Sequence, residues 1–102
     1  MSFQPLDGPA KQFSISLTTS TVQEVKVTNP LSERKIITIQ PLLSNIWVYF
    51  GDGINTPSAV TVAADGFRHF KSAMNTYEIG EAQQLFILAE TTTTSVRIAE
   101  RS

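Results

Sequence analysis

One side chain in this sequence could exchange a proton near neutral pH. It is His69, the single histidine, set in Phe67-Arg68-His69-Phe70. A nucleophile activated by a histidine needs the two within hydrogen-bond reach, with a third group orienting the ring. The chain has no cysteine, and no Gly-x-Ser-x-Gly elbow surrounds any serine. A triad assembled from distant positions stays open, but a lone histidine on a strand is far more often structural, so no catalytic residue is assigned. With one imidazole and no thiolate, a histidine-based metal site is not expected.

The three aspartates all precede glycine: Asp7-Gly8, Asp52-Gly53 and Asp65-Gly66. That pairing is turn chemistry, in which Asp tolerates a left-handed backbone and Gly supplies one. No spaced Asp/Asn series in the Gly51 to Asn55 loop supports calcium. No carboxylate pair stands out for glycoside hydrolysis. Gly51-x-Gly53 lacks the third glycine and the helix of a dinucleotide fingerprint. The expectation is therefore no cofactor and no metal.

Aromatic residues carry the other candidate surface. Asn45 to Gly53 (NIWVYFGDG) holds the only tryptophan, a tyrosine and a phenylalanine. Ile46 to Phe50 reads as a short strand stopped by Gly51-Asp52-Gly53. Alternation sends Ile46, Val48 and Phe50 to one face and Trp47 and Tyr49 to the other. Two apolar faces require a cover on the second, from a loop of this chain or from another chain. Trp47 and Tyr49 are either packed there or exposed as a platform for sugar. No second aromatic lies at a spacing that would extend such a platform, which favours packing or subunit contact.

The elements that position these residues follow from composition and pattern. With 102 residues, the chain suffices for one small domain. Charged residues are only 17%, against about 25% in typical domains, and Ser, Thr, Asn and Gln fill the gap. The net charge is −1 with no basic block, which argues against nucleic acid. No apolar stretch approaches a membrane span, and the start lacks the pattern of a signal peptide. The expectation is a soluble protein made in the cytoplasm.

Residues 1–12 (MSFQPLDGPAKQ) read as an extended arm, with Pro5, Gly8 and Pro9 breaking regular structure and Phe3 and Leu6 as its large apolar anchors. They would seat either on the chain's own domain or on a neighbouring subunit. Residues 13–102 form the single domain. Expected strands cover Gln12 to Leu17, Val22 to Thr28, Lys35 to Gln40, Ile46 to Phe50, Ala59 to Ala63 with Val60 and Val62 inward, Phe67 to Phe70 across an Asp65-Gly66 hairpin, and Thr76 to Ile79. Leu85 to Ala89 and Ser95 to Ala99 are expected as a last hairpin. Glu81 to Glu90 also fits helical spacing, although Leu85 to Leu88 is equally a continuous apolar run of a buried strand. Seven to nine short strands with turns between them predict an all-β antiparallel sandwich of jelly-roll type.

The order Ile46 to Gly51, Val60 and Val62, Asp65-Gly66-Phe67, Tyr77 to Ile79, Leu85 to Ala89, a Thr-rich turn and Val96 to Glu100 resembles the small β-sandwich virion proteins of tailed bacteriophages, in particular capsid cement or decoration proteins. The resemblance spans roughly Val22 to Ser102. It implies a non-enzymatic role in the virion, binding a major capsid protein from outside, often as a homotrimer. Phe3, Leu6, Trp47 and Tyr49 would be the partner contacts. Two other readings follow from the residues: a carbohydrate- or receptor-binding sandwich using Trp47, and a small jelly-roll enzyme around His69.

Overall fold

The computed structural model describes residues 10–25, 36–80 and 83–101. Phe3, Leu6 and the rest of residues 1–9 lie outside them, as does most of the arm. The elements in chain order are β1 (Ala10–Leu17), β2 (Gln23–Glu24), β3 (Ile36–Pro41), β4 (Ile46–Phe50), α1 (Ala59–Asp65), β5 (Phe67–His69), β6 (Asn75–Tyr77), β7 (Leu85–Ala89) and β8 (Thr94–Arg101).

Among the described residues, eight antiparallel strands form two four-stranded sheets, ordered β1-β8-β3-β6 and β2-β7-β4-β5. Only β4 and β5 are neighbours both in sequence and in a sheet. Every other consecutive pair of strands lies in opposite sheets, which is the jelly-roll winding. The expected all-β sandwich is thus the fold.

Alternation builds the core. In register, Ile46 faces Ala89, Val48 faces Ile87, and Phe50 faces Leu85. From the other sheet come Ile37, Ile39, Val96 and Ile98, with Leu17 and Val25 closing the stack. Phe13, Ile15, Phe50, Tyr77 and Ile79 are half-buried around it. The same phase carries Glu100 to the inner face of β8, opposite Ile37, where it is fully buried.

Two expectations are corrected. Ala59 to Ala63 is not a strand but the first part of α1. Ser58 caps the helix: its backbone is extended, and its hydroxyl accepts the Thr61 N–H at 3.2 Å. A helix turns two residues by about 200°, so Val60 and Val62 part company. Val62 is 0% exposed and Val60 is 79%. Asp65-Gly66 is correspondingly the end of the helix and not a hairpin turn. The Gly66 N–H donates to the Val62 carbonyl at 2.9 Å, and a Cβ at Gly66 would stand 2.4 Å from that oxygen and 3.0 Å from the Val48 oxygen. Glycine is there for close approach to β4.

The second correction concerns the last two strands. β7 and β8 do not pair with each other; the Thr-rich connection carries the chain from one sheet to the other. That corner is tied to its neighbours. The Ala89 N–H donates to the Thr18 carbonyl at 3.1 Å, Glu90 N–H to Asn45 at 3.0 Å, and Leu43 N–H to the Thr94 hydroxyl at 2.9 Å. These bonds satisfy backbone groups that a hairpin ladder would have satisfied.

The second expected strand shrinks to Gln23–Glu24, paired with β7, with Val25 buried beside it. Val27 and Thr28 lie outside the described residues. Glu81 and Ala82 do as well, but Leu85 to Ala89 is a strand, so that segment is not the helix its spacing allowed.

Candidate functional site

The two strands at one side of the sandwich, β5 and β6, are three residues each and lie in different sheets. His69 and Tyr77 join them. His69 points inward opposite Ile46, and its Nε2 is hydrogen-bonded to the Tyr77 hydroxyl. Its Nδ1 lies 3.3 Å from the Phe67 carbonyl oxygen. A carbonyl only accepts, so Nδ1 carries the proton and Nε2 accepts from the Tyr77 O–H. Burial lowers the His69 pKa below its ordinary value, with the backbone bonds acting the other way. Burial also raises the Tyr77 pKa. Phe50 packs edge-on to Tyr77, centroids 5.4 Å apart, and to Phe67 at 6.4 Å. Both ring nitrogens of His69 are therefore engaged by a phenol and a backbone carbonyl, an arrangement that fastens two sheets rather than activating a serine.

Trp47 and Tyr49 lie on the outer face of the second sheet, opposite Leu88 and Phe86. Both are half-buried. Arg68, paired with Trp47 in register, sets its guanidinium 4.9 Å from the indole centroid. Its Nε donates to Glu90 Oε2 at 2.9 Å. The indole face is thus occupied by the chain's own cation. Behind Tyr49, the outer face is covered by α1, which packs on β4 and β7 and buries Val62, while Phe86 and Leu88 are buried in the same layer. This is the cover that a two-sided apolar strand demanded.

The Asp52 carboxylate accepts the N–H groups of Ile54 (2.8 Å) and Asn55 (2.9 Å), which hold its pKa below the ordinary value. It serves a turn in which Gly53 has φ +85°. Among the described residues, no three His, Cys, Asp or Glu side chains gather as a metal site would require.

The outer face of the first sheet is polar and carries Arg97 and Arg101. A shallow depression of about 430 Å³ lies there, lined by Gln12, Ser14, Thr38, Gln40, Met74 and Arg97 among others. Exposed apolar side chains include Met74 at that depression, and Leu43, Ile54, Val60, Phe67 and Phe70. None of these six was a candidate from sequence. Phe67 shares the inward phase of His69, and its exposure follows from β5 being an edge strand, which alternation alone does not reveal.

No protein-family model matches the chain, and no characterised protein matches it. Among solved structures, it is similar to the Tobacco streak virus coat protein dimer, with 9% identity and a TM-score of 0.37 over 89% of this chain and 86% of that one.

Proposed function

We propose that the chain is a non-enzymatic structural component of a virion, a cement or decoration protein that self-associates and binds a major capsid protein from outside. The filled interior is the observation that supports this reading. Jelly rolls serve as viral capsid domains, as lectins and as cupins, and the fold by itself does not choose among them. A cupin-type site occupies the space between the sheets, and here Leu17, Ile39, Val48, Ile87 and Val96 fill it. A stacking lectin site needs an open aromatic face, and Arg68 covers that of Trp47. The working surface is then the exterior, where exposed Leu43, Phe70 and Met74 suit contact with a protein neighbour. Phe3 and Leu6 are proposed as anchors of the N-terminal segment on that neighbour, with Trp47 and Tyr49 at the margin of the contact.

The test is co-sedimentation with shells of the major capsid protein encoded in the same genome, using the full chain and a chain lacking residues 1–9. The expected result is saturable binding at a fixed copy number per capsomer, weakened by the deletion. No binding by the full chain to immature or mature shells overturns the reading. Unchanged binding after the deletion overturns the role of Phe3 and Leu6 alone.

One observation favours a carbohydrate reading, moved away from Trp47. The depression on the first sheet presents Gln12, Ser14, Thr38, Gln40 and Arg97, donors and acceptors suited to sugar hydroxyls. Glycan binding lost in Arg97→Ala and kept in Trp47→Ala would establish it.

A further inference from the structure

The four outermost strands of the two sheets are unequal. β2 has two residues and β5 and β6 three each, whereas β1 has eight. β1 spans about 27 Å at a strand's usual rise. It pairs with β8 without interruption, from Ala10 opposite Arg101 to Leu17 opposite Thr94. No described strand pairs with its other edge.

Proteins ordinarily blunt such an edge with proline, a bulge, a charge or brevity. From Gln12 onward β1 (QFSISL) has no charge, no proline and no glycine, Lys11 near its start being its one charged residue, and its register shows no bulge. A second observation points the same way. Phe13 and Ile15 face inward but are only half-buried, while Ile98 and Val96, their partners on β8, are buried. Phe13 and Ile15 therefore keep apolar surface that the described residues leave partly uncovered.

We infer that β1 is a homodimerisation edge, pairing antiparallel with β1 of a second copy about a two-fold axis at Ser14. The occupant is argued from self-complementarity. Residues directly opposed in an antiparallel pair share a face, so a two-fold through Ser14 keeps each inward residue opposite an inward one. Ser14 then meets Ser14 of the other copy, Gln12 meets Ser16, and Phe13 meets Ile15 twice. These are hydroxyl and aromatic–β-branched pairs of the kind that stabilise sheets. Lys11 falls in register opposite Leu17 and not opposite its own copy, so no like charges face each other. The two first sheets become one sheet of eight strands. The contact has two-fold symmetry, against the three-fold ring that the phage resemblance implies. It stands on the edge geometry and not on the virion reading: a dimer that binds no shell would sink that reading and leave this one intact.

The chain has no cysteine, so one introduced thiol reports the axis. Opposed residues in an antiparallel pair have Cα atoms about 4.5–5.5 Å apart, within disulfide range. Ser14→Cys is expected to oxidise to a covalent dimer of the full chain, while Ser95→Cys, one strand further in, stays monomeric under the same oxidation. Ser14 is exposed, so charge there spares the fold. By light scattering, Ser14→Lys and Ser14→Glu are each expected to weaken dimerisation about tenfold or more, and an equimolar mixture to restore it. Thermal melts check that both variants are folded. A monomeric parent chain, a trimer, or a dimer indifferent to both charges overturns the proposal, as does Ser14→Cys failing to cross-link.

Discussion

β7 and β8 follow one another in the chain and occupy equivalent places, each between two neighbours in its own sheet. Their burial differs completely. All five residues of β7 are buried, whereas β8 alternates between a buried inner face and an outer face bearing Arg97 and Arg101 in water. The inner faces of both meet in one core. The difference lies outside, where α1 roofs the second sheet over β4 and β7 and no described element roofs the first. A strand's hydrophobic pattern therefore reports what covers its far side, not how central it is in its sheet.

Truncating the roofed face breaks that comparison most sharply. Phe86 sits on the outer face of β7 and is 1% exposed, with its ring so close to Gly51 that a Cβ there would stand 2.6 Å from it. Phe86→Ala is expected to cost about 3–5 kcal/mol. Arg97→Ala, in the outward phase of β8, is expected to stay within about 0.5 kcal/mol. Equilibrium urea unfolding of the two variants checks this, and similar losses would mean that the outer faces are equivalent after all.

The helix gives a smaller and cleaner contrast. Val62→Ala removes two buried carbons from beneath the roof and is expected to cost about 2 kcal/mol. Val60→Ala, two residues earlier, is expected to be neutral or slightly stabilising, since alanine favours the helix by roughly 0.5 kcal/mol. A strand would treat the two valines alike, so thermal melts of the pair decide directly between the strand expected from sequence and α1.

That pair also marks where sequence legibility ended. The alternation of Phe13, Ile15 and Leu17 predicts its strand because every residue along it agrees, whereas the continuous run Leu85 to Leu88 left a helix open beside the strand it forms. Ala59 to Ala63 offers only Val60 and Val62, and two residues cannot separate a period of two from one of 3.6. The discriminating signal was Ser58, a capping residue directly before an alanine-rich stretch. The absence of a hairpin between β7 and β8 had no local signal. A Thr-rich turn serves a hairpin or a sheet-to-sheet corner equally, and the choice is made by distant bonds to Thr18, Asn45 and Leu43. At the candidate surfaces, the need for a cover over Trp47 and Tyr49 was legible, but the partner of Trp47 was not, because Arg68 reaches it only once β4 and β5 are in register.

The last prediction concerns the side where the two sheets are fastened without any roof. Inside the protein, His69 titrates below its unfolded value of about 6.5, because burial opposes its charge. The unfolded chain therefore takes up the proton first as pH falls. The neutral, Tyr77-bonded form contributes its full stability above about pH 6.5. That contribution declines as pH drops below this value and stops declining once the folded imidazole is protonated too. His69 is the only histidine, so a stability slope between pH 7 and 5.5 belongs largely to this one group. Histidine→glutamine at 69, which keeps a hydrogen-bonding side chain without the titration, is expected to flatten the slope while lowering stability at pH 7. Urea midpoints measured across that range decide it. An unchanged slope in His69→Gln would mean that the imidazole is already free to charge in place, and that the link from β5 to β6 is looser than its geometry indicates.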